Sequence, residues 1–144
     1  MAGIDSPIAL VELVESAIDP ARLGASPPRD CGAELVFLGL VRNHHEQRAV
    51  ARLRYDAYHP MALRELERTA RTVCQRWPEV RNLRLVHRLG LLELGEISLY
   101  ASLASPHRGS SFAALSELIE ILKANVPIWK QEIYADNQQE VWRH

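Results

Sequence analysis

Apolar positions along the chain change their spacing several times, and each change marks an element. Between Met61 and Trp77, the residues Leu63, Leu66, Ala70, Val73, Cys74 and Trp77 recur at threes and fours, the stripe of a helix that buries one face. Arg64, Arg68 and Arg71 fall on the opposite side as a solvated face that a partner could use. A second helix is predicted after Ser105 and Pro106, a cap and a first-turn proline. It runs to about Asn125, with Phe112, Leu115, Leu118, Ile119 and Leu122 as its core stripe. Pro127 forbids continuation and pushes Val126 toward extended backbone. Residues 7–18 are predicted as a short helix, with Asp5 or Ser6 as cap and Pro7 in its first turn.

Shorter apolar runs predict strands. These are Ala33 to Val41, Val50 to Ala57, Arg81 to Leu89, Ile97 to Ala104 and Ile128 to Tyr134. Gly39 marks a bulge or a close approach in the first, and Leu53 and Tyr55 share a face of the second. The segment from Asp19 to Asp30, with three prolines and a glycine, is predicted as loop, and so is the polar, mobile stretch Arg42 to Arg48. Gly90 to Gly95 connects two strands, and Trp142 near the end is expected to dock on the body of the protein. Helices and strands alternate without a regular βαβ rhythm, which predicts one α+β domain over residues 1–144 rather than a doubly wound sheet.

Composition narrows the field. The chain has 144 residues, 47% apolar, with a net charge of −1, so it is long enough for a sizeable core and is no general nucleic-acid or membrane-surface binder. Cys31 and Cys74 lie far apart in no metal-like cluster. No apolar run approaches the ~20 residues of a membrane span. The start lacks the basic end and apolar stretch of a signal peptide. A reducing, cytoplasmic setting is expected.

Positive charge is distributed unevenly by type. Fifteen arginines accompany only two lysines, Lys123 and Lys130, and these flank the bend at Val126-Pro127. An ammonium is a compact charge that responds to burial, whereas guanidinium is a fixed planar fork. Lys123 lies at the edge of its helix's apolar stripe, from which its stem can cross apolar surface to a pocket rim. Lys130, on the following strand, can approach the same rim. Two ammonium groups brought together lower the pKa of at least one and favour an anion. Glu120 precedes Lys123 by three residues, a spacing that also fits an ordinary ion pair.

Two further groups carry positive charge. His107 and Arg108 sit at the start of the second helix, where free N–H groups and the dipole already favour anions. Arg42 ends an apolar strand and feeds a loop, a common binding position. His44 and His45 are adjacent and point to opposite sides if extended, a poor metal pair. No metal cluster, Gly-rich phosphate loop or serine or cysteine triad stands out. Cationic groups without an evident nucleophile suggest a site that positions a phosphorylated or carboxylated reactant, with the reactive atom supplied from elsewhere.

Taken together, several segments resemble the large, catalytic subunit of molybdopterin synthase. They are Phe37 to Arg42, Tyr55 to Ala62, Val86 to Gly90, Gly95-Glu96, Ser105 to Arg108, and Leu122-Lys123 through Pro127 to Glu132. The resemblance covers about residues 32–134, and the Lys-x₆-Lys segment ending in Pro-x-Trp-Lys-x-Glu is its specific part. It implies an α+β fold of the hammerhead type, with a mixed or antiparallel sheet and packed helices. It also implies a sulfurtransferase of molybdenum-cofactor biosynthesis with no resident cofactor or metal. The substrate would be cyclic pyranopterin monophosphate, converted to the dithiolene of molybdopterin. Sulfur would arrive as a thiocarboxylate on the C-terminal glycine of a small ubiquitin-like sulfur-carrier subunit, on a homodimer core of a heterotetramer. By the same resemblance Lys123 and Lys130 are active-site lysines, Lys123 at the thiocarboxylate and in proton transfer. Lys130 and Arg42 would hold the phosphate or a developing oxyanion. His107 and Arg108 would line the pterin pocket, reaching across the dimer. The chain departs from the family with His45 and Gln47, where an Asn and a Gly are common, and with an extra piece at Pro27 to Cys31.

A different class of protein fits the same residues. In a non-catalytic anion-binding or adaptor domain, the basic groups would dock a partner's acidic tail. A divergent member could also keep the partner groove without turnover.

Overall fold

The computed structural model describes residues 6–24 and 26–135, together with the backbone of Glu140–Arg143. Two sheets and two long helices make up the body. The first sheet has the order β1-β5-β7-β2, formed by β1 (Ile8–Val14), β5 (Arg81–Arg88), β7 (Ile97–Ser105) and β2 (Ala33–Leu40). The β1–β5 pair is parallel and the others antiparallel. Helices α2 (His59–Arg76) and α3 (Arg108–Asn125) pack on one face of this sheet. Leu66 and Val73 of α2, Leu118 and Leu122 of α3, and Leu85, Leu99 and Leu103 of the sheet form the main core.

The second sheet is built around β4 (Arg48–Ala57). One edge of β4 pairs with β8 (Ile128–Tyr134), which pairs in turn with β9 (Glu140–Arg143). Two short strands, β3 (His44–His45) and β6 (Gly90–Glu93), also pair with β4. Val41, Val50, Leu53, Leu92 and Tyr134 form its smaller core. The α+β class and the mixed sheet are as the sequence implies. The docking expected of Trp142 concerns a side chain outside the described residues.

Several expectations are corrected. Residues 7–18 do not form a helix: Ile8–Val14 is an edge strand, and among the described residues the helix nearby is the single turn α1 (Pro20–Leu23), inside the predicted loop and capped by Asp19 Oδ1 on the Ala21 N–H at 3.1 Å. A short apolar segment fits either period, and pairing with β5 decides between them. Ser6 Oγ lies 3.3 Å from the Ile8 N–H, and the Pro7 carbonyl accepts from Leu83 N–H at 2.8 Å, so the segment's first polar groups serve the sheet.

The stretch Arg42 to Arg48 is a tight hairpin rather than an open loop. Glu46 and Gln47 take left-handed φ of 49° and 68°, the turn geometry usually given to Asn-Gly. Gly90–Glu93 is a strand and not a bare connection, paired from Arg52 to Tyr55. The start of α3 also differs. Ser105 ends β7 and its hydroxyl donates to the His107 carbonyl at 2.7 Å, so the cap position falls to His107, which makes no side-chain cap bond. Phe112 is 61% exposed, and the buried line of α3 is Ser111, Ala114, Leu118 and Leu122. Small residues let this end of the helix approach the sheet closely, so large apolar side chains do not mark its inner face.

Candidate functional site

A cleft of about 450 Å³ opens where the two sheets meet the C-terminal end of α3. Arg42, Lys123 and Lys130 all line it. Each is placed by a different piece of backbone. Val41 is buried and pinned on both sides, its N–H donating to the Glu96 carbonyl at 3.0 Å and its carbonyl accepting from Gly95 N–H at 2.8 Å. Arg42 therefore leaves the end of β2 at a fixed point.

Lys123 occupies the last turn of α3, where a cation complements the helix dipole. The helix ends at Val126, whose N–H still bonds the Leu122 carbonyl at 3.0 Å while its own backbone is extended (φ −81°, ψ 124°), as the following proline requires. Lys130 comes three residues after Pro127 on β8, directly opposite Tyr55 of β4. Opposed residues of an antiparallel pair share a face, and Tyr55 and Lys130 both line the cleft. The sequence-predicted trio is thus brought together.

The floor of the cleft is neutral and polar. Tyr55, His87 and Ser98 line it together with Phe37, Gly39 and Leu99. His87 is 6% exposed, and burial pushes its pKa down to about 4. Its Nδ1 lies 2.8 Å from the Arg88 carbonyl and donates to it, which leaves Nε2 as the acceptor nitrogen. Tyr55 meets the His87 ring edge-on at 5.1 Å between centroids. Burial raises the Tyr55 pKa, partly offset by a hydrogen bond with Ser98, and nearby Glu132 raises it further. Both rings are uncharged at neutral pH. Gly39 closes the floor by a close approach, since a Cβ there would stand 3.3 Å from Leu99 Cβ. That is the role its sequence position suggested.

His107 and Arg108 are not part of this cleft. They are exposed at the opposite end of α3, an 18-residue helix about 27 Å long. Within one chain the structure separates them from Lys123. Conversely, Tyr55, His87 and Ser98 were not singled out as site residues from sequence. A histidine inside the apolar run Leu83 to Leu89 was the available signal for His87, and the shared face of Leu53 and Tyr55 for Tyr55. Ser98 gave none.

Fold and cleft together define an α+β protein with a cationic rim over a neutral floor, suited to holding an anionic ligand by one end. Comparison with known proteins gives the family. The model described as MoaE protein matches residues 8–125, and the chain belongs to that family. It is 44% identical over 106 residues to the molybdopterin synthase catalytic subunit of Taeniopygia guttata, covering 74% of this chain and 68% of that one. Other curated relatives of the same name are longer, and the chain spans 53% of the one from Rattus norvegicus and 36% of the one from Drosophila willistoni. Among solved structures, molybdopterin synthase from Staphylococcus aureus is 31% identical with a TM-score of 0.83, over 93% of this chain and 96% of that one. A complex of subunits 1 and 2 of molybdopterin-converting factor from Helicobacter pylori, 22% identical with a TM-score of 0.70 over 92% of this chain and 88% of that one, shares the fold.

Proposed function

We propose that this chain is the catalytic subunit of a molybdopterin synthase, a sulfurtransferase of molybdenum-cofactor biosynthesis acting in the cytoplasm. The observation that carries the reading is the convergence of Arg42, Lys123 and Lys130 on one cleft. The carrier subunit's C-terminal thiocarboxylate is itself the nucleophile, so the cleft needs cations and positioning more than a nucleophile of its own. In each transfer the thiocarboxylate sulfur forms a C–S bond on cyclic pyranopterin monophosphate in place of a C–O bond, whose oxygen departs. Water then cleaves the carrier's C–S bond and supplies the oxygen that restores its carboxylate. A dithiolene takes two sulfurs, hence two carriers per product.

In this reading Lys123 meets the thiocarboxylate and moves protons, while Lys130 and Arg42 hold the phosphate or a developing oxyanion. The neutral floor of Tyr55, His87 and Ser98 offers hydrogen bonds to the uncharged pterin. His107 and Arg108, remote from the cleft of their own chain, complete the pterin pocket of a second copy in a homodimer that carries a small subunit at each end. The complex of two subunits described for the Helicobacter pylori neighbour supports such a partner.

The purified chain, given thiocarboxylated small subunit and cyclic pyranopterin monophosphate, is expected to form molybdopterin. Binding of the carrier tail without product would instead identify the anion-binding adaptor.

A further inference from the structure

Beside the cleft the second sheet buries a carboxylate. Glu132 on β8 is 1% exposed, and strand alternation sets Lys130, Glu132 and Tyr134 on one face. Glu132 Oε2 accepts a hydrogen bond from the Tyr134 hydroxyl at 2.5 Å. Its Oε1 stands 3.8 Å from Lys130 Nζ and 3.7 Å from His45 Nδ1. One carboxylate oxygen therefore faces both an ammonium of the cleft and an imidazole of the β3–β4 hairpin. The other nitrogen of that imidazole, Nε2, is buried, makes no hydrogen bond and lies 3.4 Å from Glu46 Oε1.

We propose that His45 is a positioning residue for Lys130, acting through the shared carboxylate of Glu132. The inference rests on the place given to Lys130 in the proposed function. A buried carboxylate requires a nearby positive group. When the imidazole is neutral, Lys130 is the charged member of the pair that faces Glu132 Oε1, and its ammonium is held back toward that oxygen. When the imidazole is protonated, both its nitrogens donate, one toward Glu46 and one toward Glu132, and Lys130 is released to an anion in the cleft. The hairpin thereby sets how much of the Lys130 charge the ligand receives.

The surroundings favour His45 as the variable member. Arg48 lies over the Tyr134 ring at 3.6 Å, and Tyr55 is opposite Lys130 across the β4–β8 pair. Among the residue types gathered here, histidine is the one that ordinarily changes charge between about pH 5 and 8. His87, the imidazole that lines the cleft, is kept neutral in that range by burial.

Having only two lysines makes the chain readable by NMR. Lysine labelled with ¹³C at Cε gives two side-chain signals in the full-length protein, and Lys123→Arg identifies that of Lys130. The Lys130 signal is expected to pass through an inflection between about pH 5 and 8 and to lose it in His45→Asn and in Glu132→Gln. His45→Gln replaces His45→Asn if the latter does not fold. An inflection that persists in the His45 variant, or is absent from the wild-type chain, overturns the proposal. In turnover, His45→Asn should raise KM for the pterin phosphate several-fold at the acid end of the profile, with a smaller change in kcat. A KM and pH profile equal to wild type would also overturn it. The NMR titration needs no substrate, so a wild-type chain that forms no molybdopterin would sink the proposed function and leave the positioning result to stand or fall separately.

Discussion

The two ends of α3 both carry positive charge, yet they are built differently. At the C-terminal end, Lys123 follows the buried Leu122 and faces a cleft completed by Arg42 and Lys130 from two other segments. At the N-terminal end, His107 and Arg108 stand exposed, next to the exposed Phe112. The first end has its partners within the chain. The second offers similar chemistry outside the cleft that Arg42, Lys123 and Lys130 line, as the proposed contribution to another copy's site requires. The contrast teaches that cationic residues on a single helix can belong to different sites. Position along the helix axis then matters as much as the face.

Replacing Lys123 with Ala tests the first end most severely. Product formation should fall by about 10²-fold or more, the scale for removing one charge-stabilising donor from an active site, while circular dichroism stays that of the folded chain. Undiminished turnover would break the contrast at its stronger side.

Beneath that end lies His87. With a folded pKa of about 4 against about 6.5 when unfolded, it is protonated first in the unfolded state as pH falls. Its stabilising effect is complete above about pH 6.5 and is lost progressively down to about pH 4, by about 3 kcal/mol for this shift. Urea unfolding of wild type and His87→Gln across that range should show a slope that the variant lacks. Equal slopes would mean that the imidazole is not held neutral.

At the other end Arg108→Ala should cost about tenfold in kcat/KM, equivalent to about 1.4 kcal/mol. Mixed with inactive Lys123→Ala chains under conditions that exchange subunits, it should recover activity, because one of the two sites in the mixed dimer keeps both groups. Mixtures no more active than their components would place Arg108 outside the partner's site. The smallest effect concerns Phe112. Exposed as it is, Phe112→Ala should change chain stability by no more than about 0.5 kcal/mol, whereas Leu118→Ala, at the buried middle of the helix, should cost about 2–5 kcal/mol. Chemical denaturation of the dilute chain compares the two.

Periodicity made α2 legible nearly to its ends, and it located β2, β4, β5, β7 and β8, because these elements are long enough for burial to impose a repeat. It misassigned Ile8–Val14, whose seven residues take their conformation from a partner more than seventy positions away. It missed the Glu46–Gln47 turn because neither residue is the usual one for left-handed backbone. Phe112 was read as core because a large apolar side chain outweighs Ser111 and Ala114 in any hydrophobic count, although the small residues make the contact. In the site, Arg42, Lys123 and Lys130 were visible as charges interrupting apolar segments. Ser98 was invisible, since nothing along β7 distinguishes a serine facing a cleft from one facing a neighbouring strand.

The segment from Lys123 to Lys130 has a mechanical consequence. Leu122 and Val126 are fixed in the core beneath the helices, whereas by Tyr134 the same chain is part of the smaller core of the second sheet. The two ammonium groups are therefore the jaws of a caliper, one mounted on each body, with Pro127 as its stiff joint. The gap at the jaws is thus set by how the two sheets sit against each other, and not by either sheet alone.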